Sequence, residues 1–233
     1  MPDRNPTRVA LVTGASAGLG RAVTRTLIDQ GWHVFITARG AERLSLVSDM
    51  SDSLTAIPGD VSDPVHRERL ADAVRDLGRL DLVVNNASRL GPSPMPRLAD
   101  FPLDELDRVY ATNVVAPLGI LQATLPILRE FSGVAVNISS DAGVEPYEGW
   151  GGYGSSKAAL DHLTAILAAE NPDVGVYSFD PGDMRTEMHQ AAFPGEDISD
   201  RPEPETVVPA LLRLIETRPP SGRYAVSDLA VRS

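Results

Sequence analysis

Val9-Ala10-Leu11-Val12-Thr13-Gly14-Ala15-Ser16-Ala17-Gly18-Leu19-Gly20 is the stretch on which the reading of this 233-residue chain turns. It opens as a short apolar run of strand length, passes through three glycines in seven residues, and continues into a helical pattern over residues 21–30. A strand that runs through glycines into a helix puts the helix N-terminus, with its free N–H groups and positive dipole end, at the turn. That is where a pyrophosphate binds, and glycine lets the backbone approach it closely. A glycine-rich turn that holds no ligand has the same composition. The position of this one, inside the first βαβ unit, favours dinucleotide binding.

Outward from that turn the alternation continues. Strands are expected at 33–38, 54–58, 80–85, 134–139 and 174–179, with a weak one at 223–226. Helices are expected at 41–50, 64–77, 103–129, 153–170 and 204–217. Crossovers of this length are right-handed and force parallel pairing with helices on both faces, so the fold class is α/β. No low-complexity linker divides the chain, and one domain over 1–233 is the expectation. A proline- and acid-rich segment from Pro181 to Glu205 is irregular, and its 183–205 part reads as a lid-like loop.

Composition narrows the function. Apolar residues make up 42% and charged residues 23%, an ordinary globular balance. The formal net charge of −11 has the wrong sign for nucleic acid or an anionic lipid surface, and neither is an expected partner. Without cysteine there is no disulfide, Fe–S cluster or thiol nucleophile, and His33, His66, His162 and His189 are too scattered for a metal site. The stretch from Met1 to Arg8 is polar and lacks the apolar run of a secretory signal, so a cytoplasmic location is expected. The uncharged stretch from Val109 to Leu128 is long enough to span a bilayer but is interrupted by Thr112, Asn113, Pro117, Gln122, Thr124 and Pro126. It reads as a buried helix.

Tyr153 and Lys157 are four residues apart on one expected helix and share a face. A neighbouring cation lowers a phenol pKa, which suits Tyr153 to proton transfer. A Ser/Lys hydrolase is disfavoured, because Ser155 and Ser156 immediately precede Lys157 and no G-x-S-x-G turn exists.

The G-x-x-x-G-x-G spacing, Asn85-Asn86-Ala87 and Tyr153-Gly154-Ser155-Ser156-Lys157 together resemble the short-chain dehydrogenase/reductase family, over residues from Val9 to about Tyr224. The resemblance implies a doubly wound Rossmann fold with a parallel seven-stranded sheet. It implies that Gly14, Ser16, Gly18, Leu19, Gly20, Asn86 and Ala87 contact the cofactor, with Asp60 and Val61 at its adenine and Asp60 accepting from the adenine amino group. Pro181 and Gly182 would flank the nicotinamide and Thr186 its carboxamide, while Tyr153 and Lys157 belong to both the cofactor and the catalytic sets. By the same resemblance Ser140 hydrogen-bonds the substrate oxygen, and the thirteen-residue offset to Tyr153 selects it over Ser139. Asn113 would distort its helix and hold a water linking Lys157 to solvent. The implied reaction is hydride transfer between nicotinamide and a small-molecule carbonyl or alcohol, with Tyr153 as general acid/base.

NAD enzymes of this type carry an acidic residue at the end of the second strand, where this chain has Thr37-Ala38-Arg39. No carboxylate stands there to repel a 2′-phosphate and a guanidinium is placed to bind one, so NADP(H) is expected over NAD(H). The glycine turn adds no second basic residue, since Ala17 stands where some relatives have arginine.

Two departures stand out: Ser88 where the family motif ends in glycine, and a carboxyl terminus from Tyr224 to Asp228 without the usual glycines. Candidate substrate-pocket residues are Ser88, Arg89, Ala142, Glu145, Tyr147, Trp150, Met184, Met188 and His189, but they name no substrate. The alternatives are a non-catalytic nucleotide-binding sensor or structural subunit, and an epimerase or dehydratase of the same superfamily. The intact Ser140, Tyr153 and Lys157 disfavour the first and the short chain disfavours the second. Because the 109–128 and 153–169 helices are apolar around their circumference, a homodimer or homotetramer is expected.

Overall fold

The computed structural model describes residues 7–48 and 51–229. The polar segment 1–6, the expected helix end at 49–50 and residues 230–233 lie outside the described residues.

Seven strands form one parallel sheet in the order β3-β2-β1-β4-β5-β6-β7. They are β1 (Val9–Thr13), β2 (His33–Thr37), β3 (Leu54–Ala56), β4 (Leu82–Asn85), β5 (Val134–Ile138), β6 (Gly175–Asp180) and β7 (Gly222–Ala225). The strand order reverses between β1 and β4, and the crevice at that switch point is where open α/β sheets bind ligands. This is the doubly wound Rossmann architecture.

Helices cover both faces, and the strands show why. Ala10 and Val12 of β1, Leu82 and Val84 of β4, and Val134 and Val136 of β5 face one layer, made by α1 (Gly18–Asp29), α2 (Ala41–Ser48) and α8 (Val208–Thr217). Val9, Leu11, Val83 and Ala135 face the other, made by α3 (Pro64–Leu77), α5 (Ala116–Glu130) and α6 (Gly151–Glu170). The side-chain period of two thus gives strands buried on both sides, as a parallel sheet requires.

The expected 103–129 helix is not uniform. It runs as α4 (Leu103–Tyr110), a π-helical turn at Ala111–Val115, and then α5. Asn113, 1% exposed, sits inside the turn, and its bonds to neighbouring elements explain the widened backbone. Taken through this turn, Leu103–Glu130 is long and apolar enough to cross a membrane by length and composition. Its Val109, Val114, Ala116, Ile120, Leu121 and Leu128 are buried, several of them in the layer against the sheet, so it serves as a core helix.

Other boundaries move by a few residues. α1 begins at Gly18, three residues before the expected start, because helical geometry is already reached inside the glycine turn. The expected 204–217 helix opens as a 3-10 turn at Pro204–Thr206 before α8, since Pro204 and Pro209 punctuate it. Inside the segment expected to be irregular, Thr186 caps a short helix, α7 (Glu187–Ala192), by accepting from the His189 N–H at 3.1 Å.

Candidate active site

The carboxyl ends of β1, β2, β4, β5 and β6 open onto one cleft, lined by residues from Gly14 to Ala192. Its floor is the glycine turn. Gly14 has φ +66°, and a Cβ there would stand 2.8 Å from Asn86 Nδ2 and 2.9 Å from Ala87 Cα, so only glycine fits. Asn86 fixes the turn by donating its Nδ2 hydrogens to the carbonyls of Thr13 (2.9 Å) and Gly14 (3.2 Å). Thr13 Oγ1 in return accepts from the backbone N–H groups of Asn86 and Ala87 at 3.0 and 2.9 Å. The two sides of the switch point are thereby stitched together. Ala17 caps α1 without a side-chain bond, and the first turn of α1 carries no acidic residue. The helix N-terminus is therefore left with N–H groups and a dipole suited to a bound pyrophosphate.

At the β2 end, Arg39 and Arg43 line the same part of the cleft as Gly59, Asp60 and Val61. Arg43 escaped the sequence reading, although its i, i+4 spacing from Arg39 was a usable signal. Its Nη1 donates to Glu187 of α7 at 2.8 Å. Asp60 accepts from the Ser62 backbone and hydroxyl at 2.9 and 2.8 Å; these bonds and the nearby Arg39 hold its carboxyl below the ordinary range against the opposing effect of burial.

Ser140, Tyr153 and Lys157 meet at the other end, past β5. Ser140 Oγ accepts from the Ala142 N–H at 3.2 Å and donates to Asp141 Oδ1 at 3.1 Å. Lys157 is 2% exposed, with Nζ donating to the Ile138 carbonyl at 2.7 Å and lying 5.4 Å from the Tyr153 ring centroid. Burial lowers the Lys157 pKa to about 8. The sequence led us to expect a lowered phenol pKa at Tyr153; instead burial raises it to about 12, with Ser88 and Ser140 pulling the other way. The reason is geometric: a cation over the ring face and bonded to a carbonyl stabilises the distant phenolate oxygen less than burial penalises it.

Asn113 stands in the π-helical turn, where its helix departs from regular α geometry. Its side chain is spent on protein partners, Oδ1 accepting from Arg89 N (2.7 Å) and Ser88 Oγ (3.2 Å), and Nδ2 donating to Arg89 O and Ser156 Oγ at 2.9 Å each. It pins the loop after β4 to α6, and a water contact would fall to its backbone.

Arg223 of β7 was also missed. Its guanidinium donates to Asp180 (2.7 Å), Asp161 (3.1 Å) and the Ser140 carbonyl (3.1 Å), tying the ends of β5 and β6 to α6. Nothing in the local sequence marks it, because its partners are 43, 62 and 83 residues away. Of the expected residues, Gly14, Ser16, Gly18, Leu19, Arg39, Asn86, Ala87, Ser140, Tyr153, Lys157, Pro181, Gly182 and Thr186 line one cleft. Asp60 and Val61 line its neighbouring part, Gly20 packs behind the turn against Asn86, and Asn113 stands behind the wall.

Fold and cleft together define a doubly wound, nucleotide-binding α/β protein. Residues 8–197 match the short chain dehydrogenase family, and the chain belongs to it. It is 36% identical over 183 residues to serine 3-dehydrogenase of Agrobacterium fabrum, covering 76% of this chain and 72% of that one. It is 34% identical over 203 residues to mouse sepiapterin reductase, covering 79% and 77%. A short chain dehydrogenase from Shigella flexneri, solved in complex with NADP, superposes with a TM-score of 0.88 at 29% identity, covering 94% of this chain and 97% of that one.

Proposed function

We propose that the protein is an NADP(H)-dependent oxidoreductase that interconverts a small-molecule carbonyl compound and its alcohol. The observation that carries this reading is the meeting of Tyr153, Lys157 and Ser140 in the same cleft as the glycine turn and Arg39. When bound, the cofactor supplies the hydride to the carbonyl carbon. Tyr153 gives its phenolic proton to the carbonyl oxygen, so that one hydride and one proton make the alcohol, and the phenolate is reprotonated from solvent. Ser140 turns its O–H from Asp141 to the substrate oxygen. Lys157 holds positive charge behind Tyr153 as the phenolate forms, and Asn113 positions the Ser88–Arg89 loop.

The choice of NADP(H) rests on Arg39 and Arg43 at the β2 end and on the absence of a carboxylate after β2. The Shigella structure in complex with NADP supports it. Removing one charge-assisted phosphate contact costs roughly 1.5–3 kcal/mol. Arg39→Ala should therefore weaken NADPH binding about 10–150-fold while barely changing NADH binding. Equal affinity of the unmodified protein for both cofactors would refute the assignment. A screen of carbonyl compounds for loss of NADPH absorbance tests the activity itself; tight NADPH binding with no turnover in that screen would favour a sensor.

A homo-oligomer and a cytoplasmic location belong to the same reading. Ser155, Ala158, His162, Ala165, Ile166 and Ala169 form a largely small-residue exposed face on α6, and Val115, beside α5, is 52% exposed. Leu167 packs against the core, so Ile166→Glu is the cleaner disrupting change. Light scattering should give at least twice the 24.9 kDa chain mass, falling towards one chain in the variant. A stable single chain of the unmodified protein at micromolar concentration would sink the idea.

A further inference from the structure

The cleft beyond Ser140 and Tyr153 is apolar on its walls and acidic on its rim. Leu90, Trp150, Met184 and Met188 line the walls. Trp150 stands edge-on to Tyr153, with centroids 5.8 Å apart and planes at 70°, and meets Phe193 at 5.8 Å. Rings pack well in such edge and offset arrangements, and methionine moulds itself to a flat partner. The rim carries Asp141 and Asp183. Asp141 accepts from the Tyr147 hydroxyl at 2.9 Å and from the Ser140 hydroxyl at 3.1 Å, which keeps that carboxylate beside the serine.

The basic groups among the described lining residues either stand at the other end of the cleft or lie against a partner of their own. Arg39 and Arg43 stand at the opposite, glycine-turn end, with Arg43 bonded to Glu187. Lys157 is buried and donates to the Ile138 carbonyl. His189 lies 3.7 Å from Asp183, and Arg201, outside the lining, lies 3.5 Å from the same carboxylate and 2.6 Å from Asp200. Asp180, also in the lining, is paired with Arg223. A carboxylated or phosphorylated substrate would meet Asp141 and Asp183, and the guanidinium nearest that rim, Arg201, is already shared between Asp183 and Asp200.

We propose that the substrate is an uncharged aromatic carbonyl compound, gripped by Trp150 and the two methionines, with Asp141 and Asp183 turning carboxylated analogues away. This rests on the reading of the cleft as a carbonyl-reducing site. Both carboxylates are solvated, so the discrimination is severalfold and weakens with salt.

A matched pair tests it, 4-acetylbenzamide and 4-acetylbenzoate, which share ring and ketone and differ in charge. With NADPH at low salt, kcat/KM should favour the amide by about fivefold or more. The gap should shrink at high salt and in Asp183→Asn and Asp141→Asn/Asp183→Asn. Trp150→Ala should raise KM for the amide more than for an aliphatic ketone such as 2-butanone. A benzoate reduced as well as the amide overturns the charge selection, and a gap unmoved by salt and both variants overturns its assignment to these carboxylates. Equal losses for aromatic and aliphatic ketones in Trp150→Ala overturn the aromatic half. If another carbonyl is reduced but neither acetyl compound is, nor binds the NADPH complex by cofactor fluorescence, the substrate class is wrong and the reductase reading stands. If no carbonyl is reduced at all, both fall.

Discussion

Tyr153→Phe is expected to lower turnover by about 10²–10⁴-fold, the range for losing a positioned proton donor, with NADPH binding nearly unchanged. The ring, its edge-on contact with Trp150 and its place beneath Lys157 all survive the change; only the hydroxyl is lost. Direction matters for pH. Reduction uses the protonated phenol, and with its pKa raised to about 12 that form persists across neutral and alkaline pH. Reduction should therefore be flat in the Tyr153 titration until strongly alkaline conditions. Alcohol oxidation uses the phenolate and should rise with pH, about tenfold per unit while the phenol remains protonated. A Phe variant that keeps most of its activity on a confirmed substrate would remove Tyr153 from the proton step.

Lys157→Met should abolish most activity and yet make the protein harder to unfold. Burial lowers the Lys157 pKa from 10.5 to about 8, so the folded state carries its charge at a penalty. Between those two pH values the unfolded chain holds a proton that the native state has released, and stability rises with pH; below pH 8 the full penalty is present. At roughly 1.4 kcal/mol per unit this amounts to about 3 kcal/mol, less about 1 kcal/mol for the lost bond to the Ile138 carbonyl. Urea unfolding at pH 7 should show a gain of about 2 kcal/mol for the variant, fading as the pH approaches the unfolded value. A variant less stable than the parent at pH 7 would show that the ammonium supports the fold, contrary to this account.

The contrast between what the sequence disclosed and what it withheld follows the range of the interactions. The order of strands and helices was legible because burial on both sheet faces writes apolar runs locally, as in Val9–Thr13 and Leu82–Asn85. The glycine turn and the i, i+4 pair of Tyr153 and Lys157 were legible for the same reason. The distortion at Asn113 was legible through the family resemblance and not through spacing, since its cause lies in bonds to Arg89 and Ser156. The sign of the Tyr153 shift depended on where Lys157 points and how deeply the phenol is buried, and spacing reports neither. Arg43 was within reach of spacing, whereas Arg223 required the sheet order.

Arg223 also bears on how the reaction centre is held together. It stands on the sheet's edge strand β7, yet its one guanidinium is shared by Asp161 of α6, Asp180 of β6 and the carbonyl of Ser140. The same two carboxylates favour the charged form of Lys157, so Arg223 moderates the negative charge that the buried ammonium faces. The sheet's last edge therefore acts as a clasp, joining the strand ends that carry Ser140 and Asp180 to the helix that carries Tyr153 and Lys157.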